Sequence, residues 1–201
     1  MSEWHRFLIM IAGFVLYGRS ASKQTRPASA EAPTAARRLL LFICNGNTSR
    51  SPIAHAICSA EIVRRLTRRP DRARMPAVEV ASAGLAAKAG APMAAEAQRA
   101  LRSLGVPVPS HAARNLTSEL VDNATAIICM TSQQCEAVLA MHPNAAGKVH
   151  RLHPFRDLAD PAGRGAKVFL KLSRQIRRLV VNRLSYFLML EPMAATGKSA
   201  A

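Results

Sequence analysis

Aromatic and acidic residues are both scarce in this chain. Phe, Trp and Tyr make up 4% of the 201 residues, although apolar residues together make up 49%. One α/β domain of typical size therefore has material for a core, but that core has to be mostly aliphatic. Lys and Arg number 28 against 12 acidic residues, so the formal net charge is +16. Such a charge attracts phosphates, nucleic acid or an anionic membrane surface, or it belongs to a solvated Arg-rich surface. We predict no specific nucleic-acid partner.

Cysteine is also rare, and its spacing is irregular. The chain has four cysteines: Cys44, Cys58, Cys129 and Cys135. Their number and spacing exclude a disulfide scaffold, and no pair has the C-x-x-C spacing of a zinc site. Free thiols are typical of a reducing compartment, so we expect a cytoplasmic protein.

The apolar run near the N-terminus, Phe7 to Gly18, is too short for a membrane-spanning helix, which needs about 20 residues. It has three interpretations: a disordered or docked soluble extension, an anchor on an anionic membrane surface, or a signal peptide cleaved near 28–30. The Ala-, Ser- and Pro-rich stretch 19–37 predicts a linker. Any contact with a membrane is therefore expected through residues 1–37.

Strand and helix patterns alternate along the rest of the chain. Apolar stretches predict strands over Arg38–Ile43, Val78–Ala81, Thr125–Met130 and Val149–Leu152. Helical spacing predicts helices over Ile53–Leu66, Met93–Leu104, Gln133–Met141 and Ala166–Leu190. This order is typical of an α/β fold with a four-stranded parallel sheet flanked by helices on both faces. The domain would span 38–190, followed by a disordered tail over 191–201.

The segment CNGNTSRSP, from Cys44 to Pro52, directly follows the first predicted strand. Cys44 and Arg50 form a C-x5-R pattern, and a loop of this length can direct its backbone N–H groups at one tetrahedral anion. Gly46 would let the backbone turn or approach the ligand, and Asn47 would accept a left-handed conformation. Pro52 fits the first position of the next helix, whose N-terminus also favours anions. We predict a phosphate-binding loop here, lined or supported by Asn45, Gly46, Asn47, Thr48, Ser49 and Ser51.

This loop contains the groups that a cysteine-dependent phosphatase reaction needs. The helix N-terminus and Arg50 favour the thiolate of Cys44, which would attack phosphorus in line. Arg50 can bind two phosphate oxygens at once, and the Ser51 hydroxyl can stabilise the thiolate when the phosphoenzyme breaks down. The leaving group needs a proton from a carboxylic acid. Asp160 is the first candidate, because its loop follows the fourth predicted strand and so lies at the same edge of the sheet. Asp157, in the same loop, is the second.

The motif FICNGNTSRSPIAHAI resembles the signature of low-molecular-weight protein-tyrosine phosphatases, V-C-x-G-N-x-C-R-S-P-x-A-E. Further blocks similar to that family follow in the same order: ASAGL at 81–85, HAARNL at 111–116, ATAIICMT at 124–131 and the pair Asp160–Pro161. The resemblance covers the predicted domain and implies a four-stranded parallel sheet, a cysteinyl-phosphate intermediate, and no metal or cofactor. It implies the roles given above for Cys44, Arg50 and Asp160, with Asn47 and Ser51 as loop supports.

Four positions depart from that family's pattern. Ser49 replaces the loop's second cysteine, so the disulfide that protects the nucleophile in relatives cannot form. His55 replaces a glutamate, which we interpret as a surface change. Ala162 replaces the aromatic residue that commonly follows Asp-Pro, so a phosphotyrosine ring has little to stack on. Thr48 replaces a bulky residue, and threonine there accompanies protein-arginine phosphatase activity in a related branch.

The predicted substrate is a phosphorylated protein or a small phosphomonoester, with phosphotyrosine and phosphoarginine both open. Two other functions also stay open. An arsenate reductase would use a thiol relay, for which Cys129 and Cys135 are the candidates, although a cysteine in an apolar strand is more typical of a core. A non-catalytic phosphate-binding or membrane-associated regulator fits the basic charge and the apolar N-terminus, but every catalytic position is filled.

Overall fold

The computed structural model describes residues 37–68 and 77–190. The N-terminal segment up to 36 and the tail 191–201 lie outside the described residues, so the roles given to them stay predictions. The elements are, in chain order, β1 (Arg38–Cys44), α1 (Arg50–Thr67), β2 (Val78–Gly84), α2 (Ala95–Ser103), α3 (Ser118–Asn123), β3 (Ala126–Cys129), α4 (Ser132–Met141), a 3-10 helix (Pro143–Lys148), β4 (Val149–Arg151) and α5 (Gly165–Met189).

The four strands form one parallel sheet in the order β2-β1-β3-β4, which confirms the predicted fold class. Strand β1 is central, because it pairs with β2 on one side and with β3 on the other. Its side chains alternate between the two faces of the sheet. Leu40 and Phe42 pack with α1, α2 and α5, whereas Leu41 and Ile43 pack with α3 and α4. Burial on both faces explains the continuous apolar sequence of β1.

This strand order creates a switch point at the carboxyl ends of β1 and β3. From β1 the chain moves to β2 on one side of the sheet and then returns to β3 on the other side. Ligands of open parallel sheets bind in the crevice at such a point. The loop that follows Cys44 leaves β1 there, so the fold directs it towards the expected binding crevice.

Two short elements escaped prediction, and one helix begins earlier than expected. Helix α3 and the 3-10 helix have 6 residues each, too few for an apolar period to distinguish them from loops. Helix α1 begins at Arg50, before the start that the sequence predicts at Pro52 and Ile53, and Ser49 occupies its N-cap position. Pro52 still lies in the first turn, where its missing N–H is not needed for the helix.

Helix α2 ends in a glycine C-cap. Gly105 has a φ of +66°, which suits a residue without a Cβ. The N–H of Gly105 donates to the carbonyl of Arg102 at 3.0 Å, and the N–H of Val106 donates to the carbonyl of Leu101 at 3.0 Å. These two bonds form a Schellman motif, which terminates the helix and turns the chain back towards α5.

Helix α5 packs its apolar side on α1 and α2 and leaves its basic side exposed. Its buried residues recur at helical spacing: Phe169, Leu172, Ser173, Ile176, Val180, Leu184 and Phe187. Within residues 37–68 and 77–190, no helix combines the length and the apolarity that a membrane crossing requires.

Candidate active site

The loop from Asn45 to Ser49 turns at Asn47, whose φ of +52° is the only positive value of a non-glycine residue in the described part of the chain. The left-handed conformation predicted for Asn47 is therefore present. The turn does not require glycine at Gly46, because a methyl group there would meet only the Oγ1 of Thr48 at 3.7 Å. If Gly46 is needed, the reason is close approach of the backbone to a ligand.

The side chain of Asn47 is fully buried and holds the loop from inside. Its Nδ2 donates to the Oγ of Ser51 and to the Oγ of Ser82, both at 3.0 Å. Its Oδ1 accepts from the backbone N–H of Arg114 at 3.0 Å, and its carbonyl accepts from the Nε2 of His111 at 2.7 Å. Because both amide hydrogens and the amide oxygen are engaged, the loop has little freedom to relax.

Ser51 connects this network to the sulfur of Cys44. The Oγ of Ser51 lies 2.9 Å from the Sγ of Cys44 and 3.4 Å from the carbonyl of Ala83. Since Ser51 already accepts from Asn47, its own hydrogen is free to point at one of these two acceptors. The shorter contact is to the sulfur, which is the arrangement that stabilises a thiolate.

The start of α1 offers further donors to an anion. Ser49 occupies the N-cap position without a side-chain hydrogen bond to the helix, and the first turn contains no acidic residue. The first N–H groups of a helix have no partner within the helix, so they can bind an anion placed at its N-terminus. Cys44 lies at the end of β1, 2% exposed, with Ser51 of this first turn against its sulfur.

Arg50 is buried, with 6% exposure, and two of its three nitrogens have partners. Its Nη1 donates to the carbonyl of Leu158 at 3.1 Å, and its Nη2 forms an ion pair with the Oδ2 of Asp160 at 2.5 Å. Its Nε has no hydrogen-bond partner among the described residues. A buried guanidinium N–H without a partner is costly, so this donor is suited to an anion at the loop.

The two candidate acids make different contacts. Asp160 has a half-exposed side chain, pairs with Arg50, and accepts from the N–H of Ala162 at 3.1 Å. The carboxylate of Asp157 instead accepts from the N–H and hydroxyl of Ser132 and from Arg151. The Ser132 N–H, followed by Arg151, holds the pKa of Asp157 below its usual value. These contacts favour Asp160, the first candidate, as the acid.

Several residues of this site were not singled out from the sequence. Ser82, His111 and Arg114 brace Asn47, the carbonyl of Leu158 orients Arg50, and Gly84 lies against the loop. The blocks ASAGL and HAARNL were the available signal, since together they contain four of these five positions, all except Leu158. His55 was interpreted as a surface change, but it is half-buried. Burial, followed by the charges of His111 and Arg114, lowers the pKa of His55.

Gly84 is required because the loop passes directly over it. A methyl group at this position would overlap the backbone oxygen of Asn45 and lie 3.0 Å from the backbone nitrogen of Asn47. We expect Gly84→Ala to lower the free energy of unfolding by about 1–3 kcal/mol and kcat/KM by about 100-fold, because the backbone of the loop has to shift. Thermal unfolding and steady-state kinetics measure both effects. Gly46→Ala is the matched control for stability, and an unfolding temperature for Gly84→Ala equal to that control would contradict the steric argument.

The other thiols lie outside the loop. Burial raises the pKa of Cys58 to about 12, so it stays a protonated core residue. The interaction between the thiols of Cys129 and Cys135 raises the pKa of Cys129 and lowers that of Cys135. Cys129 packs in the cluster on the α3 and α4 face of the sheet, whereas Cys44 packs in the cluster on the opposite face.

No group of three His, Cys, Asp or Glu side chains in the described segments is arranged to hold a metal ion. The chemistry that these residues offer is that of a thiol in contact with a hydroxyl and of a guanidinium paired with a carboxylate.

Comparison with known proteins gives consistent relatives. The family model of low molecular weight phosphotyrosine protein phosphatases matches residues 39–188. A protein-arginine-phosphatase of Geobacillus stearothermophilus is 31% identical over 157 residues, which cover 76% of this chain and 97% of that protein. A probable low molecular weight protein-tyrosine-phosphatase, EpsP of Ralstonia nicotianae, is 31% identical over 143 residues, which cover 70% of this chain and 90% of that protein.

Solved structures agree with these matches. The YwlE arginine phosphatase from Geobacillus stearothermophilus aligns with a TM-score of 0.63 at 30% identity, covering 75% of this chain and 92% of that one. A low molecular weight protein tyrosine phosphatase from T. tengcongensis aligns with a TM-score of 0.66 at 27% identity, covering 74% and 99%. Since the family model matches well over half of the chain and full-length relatives reach 31% identity, the chain belongs to the low molecular weight phosphotyrosine protein phosphatase family.

Proposed function

We propose that this protein dephosphorylates phosphoproteins through a phosphate ester on the sulfur of Cys44, with Arg50 as the phosphate clamp and Asp160 as the general acid. Membership of a cysteine-dependent phosphatase family supports the reaction class. The observation that carries the assignment of residues is the 2.9 Å contact between the thiol of Cys44 and the hydroxyl of Ser51, which follows in the sequence a buried guanidinium with an unused Nε.

In the first half of the reaction, the thiolate of Cys44 attacks phosphorus and forms the S–P bond as the bond to the leaving group breaks. Arg50 and the loop N–H groups bind the equatorial oxygens, and these contacts strengthen as negative charge spreads over them. Asp160, protonated, gives its proton to the leaving oxygen or nitrogen. The products of this step are the dephosphorylated residue and cysteinyl phosphate.

In the second half, water attacks the cysteinyl phosphate and inorganic phosphate leaves. The carboxylate of Asp160 takes a proton from this water and is ready to act as an acid again. The electron pair of the broken S–P bond returns to Cys44 as a thiolate. The Ser51 hydroxyl, 2.9 Å from the sulfur, can donate its hydrogen to that thiolate and so favours the step.

Asp160→Asn tests the acid, because asparagine keeps the shape but has no proton to give. We expect kcat for phenyl phosphate to fall by about 100- to 1000-fold, and kcat for p-nitrophenyl phosphate, whose leaving group needs less help, to fall less. Steady-state kinetics with the two substrates measure the difference. Asp157→Asn is the matched control: it should keep its activity and instead weaken the start of α4, where Asp157 caps Ser132. If instead Asp157→Asn lost activity and Asp160→Asn kept it, Asp157 would be the acid.

Phosphoarginine is the substrate that the loop favours within this reaction class. Thr48 places a small, half-buried hydroxyl side chain at the loop, and Ala162 stands where relatives have an aromatic side chain. Small side chains at these two positions leave space for a guanidinium but offer no flat surface to a phosphotyrosine ring. The similarity to protein-arginine-phosphatases supports this preference, although relatives named as tyrosine phosphatases are equally similar.

Peptides with phosphoarginine or phosphotyrosine at the same position test this preference. We expect kcat/KM to be at least about tenfold higher for phosphoarginine, and Thr48→Ile to reverse the order by adding an apolar surface that fits a ring. Phosphate released from each of the two peptides gives the two kcat/KM values and their ratio, for the wild type and for Thr48→Ile. A wild-type ratio in favour of phosphotyrosine would reject the preference without affecting the reaction mechanism.

The interaction of the Cys129 and Cys135 thiols, which raises the pKa of the first and lowers that of the second, keeps an arsenate reductase in view. A relay would have to pass oxidation from Cys44 to this pair, yet Cys44 and Cys129 pack on opposite faces of the sheet. We therefore favour the phosphatase. Thioredoxin-dependent arsenate turnover that is lost in Cys135→Ser would favour the reductase instead. The non-catalytic alternative predicts phosphate binding without hydrolysis in the same assays.

A further inference from the structure

A groove of about 1140 Å³ lies between α1, α5 and the end of α2, away from the loop at Cys44. We call it the basic groove. Apolar and basic side chains of these elements line it. Arg50 and Arg64 lie at opposite ends of α1, and a rise of 1.5 Å per residue separates them by about 21 Å along the helix. The groove is therefore distinct from the phosphate loop.

The basic groove is amphipathic. Apolar residues of all three elements contribute to it: Ile57, Ala60, Leu104, Val106 and Val181. Basic residues accompany them on α1 and α5: Arg64, Lys171, Arg174, Arg177 and Arg178. Apolar contact area combined with a dense set of cations is the complement of an acidic amphipathic ligand.

The charges of the groove are largely uncompensated. Glu61 is its one acidic residue, and both carboxylate oxygens of Glu61 are already engaged by Arg64 and Arg65. Lys171, Arg174 and Arg178 are exposed, and no ion pair joins them to an acid in the described residues. An isolated exposed cation is normal on a protein surface, but three of them around the amphipathic basic groove favour an anionic occupant.

The sequence itself argues against two occupants. The N-terminal segment 1–37 contains Glu3 and Glu31 against five Lys and Arg residues: Arg6, Arg19, Lys23, Arg26 and Arg37. A second copy of the chain carries the same net charge of +16. Both would meet electrostatic repulsion at the groove. A flat bilayer matches a concave groove poorly, whereas an amphipathic helix or strand of another protein fits inside one.

We propose that the basic groove is a docking site for an acidic amphipathic segment of a partner protein. The segment would place its apolar residues between α1 and α5 and its carboxylates against Arg174, Arg178 and Lys171. Where the partner is also a substrate, the groove recruits it and leaves the phosphorylated residue for the loop at Cys44. That last role rests on the proposed phosphatase function, whereas binding itself does not.

Binding is tested with the full-length protein and a fluorescein-labelled synthetic helix whose leucines share one face and whose other positions are mainly glutamate. Fluorescence anisotropy at low and high salt gives the Kd. We expect saturable binding that weakens with salt, and a Kd at least about tenfold higher for Arg174→Glu/Arg178→Glu. Lys88→Glu/Arg156→Glu is the matched control, because it changes the net charge equally with exposed residues that do not line the groove. If the reversed variant fails to fold, Arg174→Gln/Arg178→Gln replaces it.

Two further probes identify the occupant. A peptide of the same composition, with its leucines scattered around the helix, should bind at least about tenfold more weakly, because its apolar residues cannot share the groove. Vesicles of phosphatidylcholine and phosphatidylglycerol should bind the wild type and the groove variant alike. The proposal is wrong if the helix does not bind, if the scattered peptide binds as well, if both double variants lose affinity equally, or if vesicles alone respond to the groove variant.

A kinetic measurement separates this proposal from the phosphatase assignment. For a phosphopeptide joined to the acidic helix, we expect the groove variant to raise KM about tenfold with kcat unchanged. For p-nitrophenyl phosphate, both constants should stay at wild-type values. If the wild type hydrolysed neither substrate, the phosphatase assignment would be rejected. The anisotropy measurement of helix binding would still test the docking proposal independently.

Discussion

Cys44→Ser should lower phosphatase turnover by at least about 10⁴-fold, because a serine hydroxyl at this position is not ionised and attacks phosphorus poorly. The substitution removes little volume from a site that is 2% exposed, so the fold should persist. Hydrolysis of p-nitrophenyl phosphate measures the loss, and circular dichroism checks the fold. Binding of inorganic phosphate should remain, since Arg50 and the loop N–H groups are unchanged.

The matched control for this variant is Cys135→Ser, which changes a thiol that makes no described contact with the loop. Its p-nitrophenyl phosphate turnover should stay at the wild-type level. A burst of p-nitrophenol equal to the enzyme concentration in Asp160→Asn, absent when Cys44→Ser is added, would identify the cysteinyl phosphate. Wild-type turnover by folded Cys44→Ser would reject the covalent mechanism altogether.

Arg50→Lys should lower kcat by about 100- to 1000-fold even though it keeps the positive charge. A lysine is a point charge and cannot bind two oxygens of the transferring phosphoryl group in a plane. It also cannot contact the carbonyl of Leu158, the carboxylate of Asp160 and an anion in one fixed geometry, as the guanidinium can. Measured kcat and KM should show the larger change in kcat, because the bidentate contact tightens in the transition state.

Arg177→Lys, on the exposed side of α5, is the control for the conservative exchange itself and should leave p-nitrophenyl phosphate kinetics unchanged. A rise in KM with unchanged kcat in Arg50→Lys would mean that Arg50 binds ground state and transition state equally. In that case Arg50 would be a binding residue, and the clamp would have to come from the loop N–H groups alone.

The strand, the loop and the first helix were predictable because their signals are local. A buried strand that ends at a cysteine, a polar loop with glycine and asparagine, and Ser-Pro at the start of a helix all lie within 38–52. The position of Asp160 near Arg50 was predictable from topology, since parallel strands place the loops that follow them at one edge; its role as the acid stays a prediction. The family resemblance, carried by the loop, then extended the prediction to the whole domain.

The supports of the loop outside residues 45–51 were not predictable, because each comes from a distant part of the sequence. Asn47 meets Ser82, His111 and Arg114 only after the sheet has formed, and the blocks ASAGL and HAARNL mark their segments without indicating these contacts. The clash at Gly84 likewise depends on how closely the loop crosses β2. Short helices such as α3 could not be predicted for another reason, because they have too few residues to reveal an apolar period.

The ion pair between Arg50 and Asp160 has a consequence for the order of events. In the proposed mechanism this one guanidinium contacts the acid in the resting enzyme and the phosphoryl group during turnover, so an arriving dianion competes with the carboxylate for the same cation. The carboxylate of Asp160 would then be released from Arg50 only while a phosphoryl group is bound, and departure of phosphate would restore the pair and reset the enzyme.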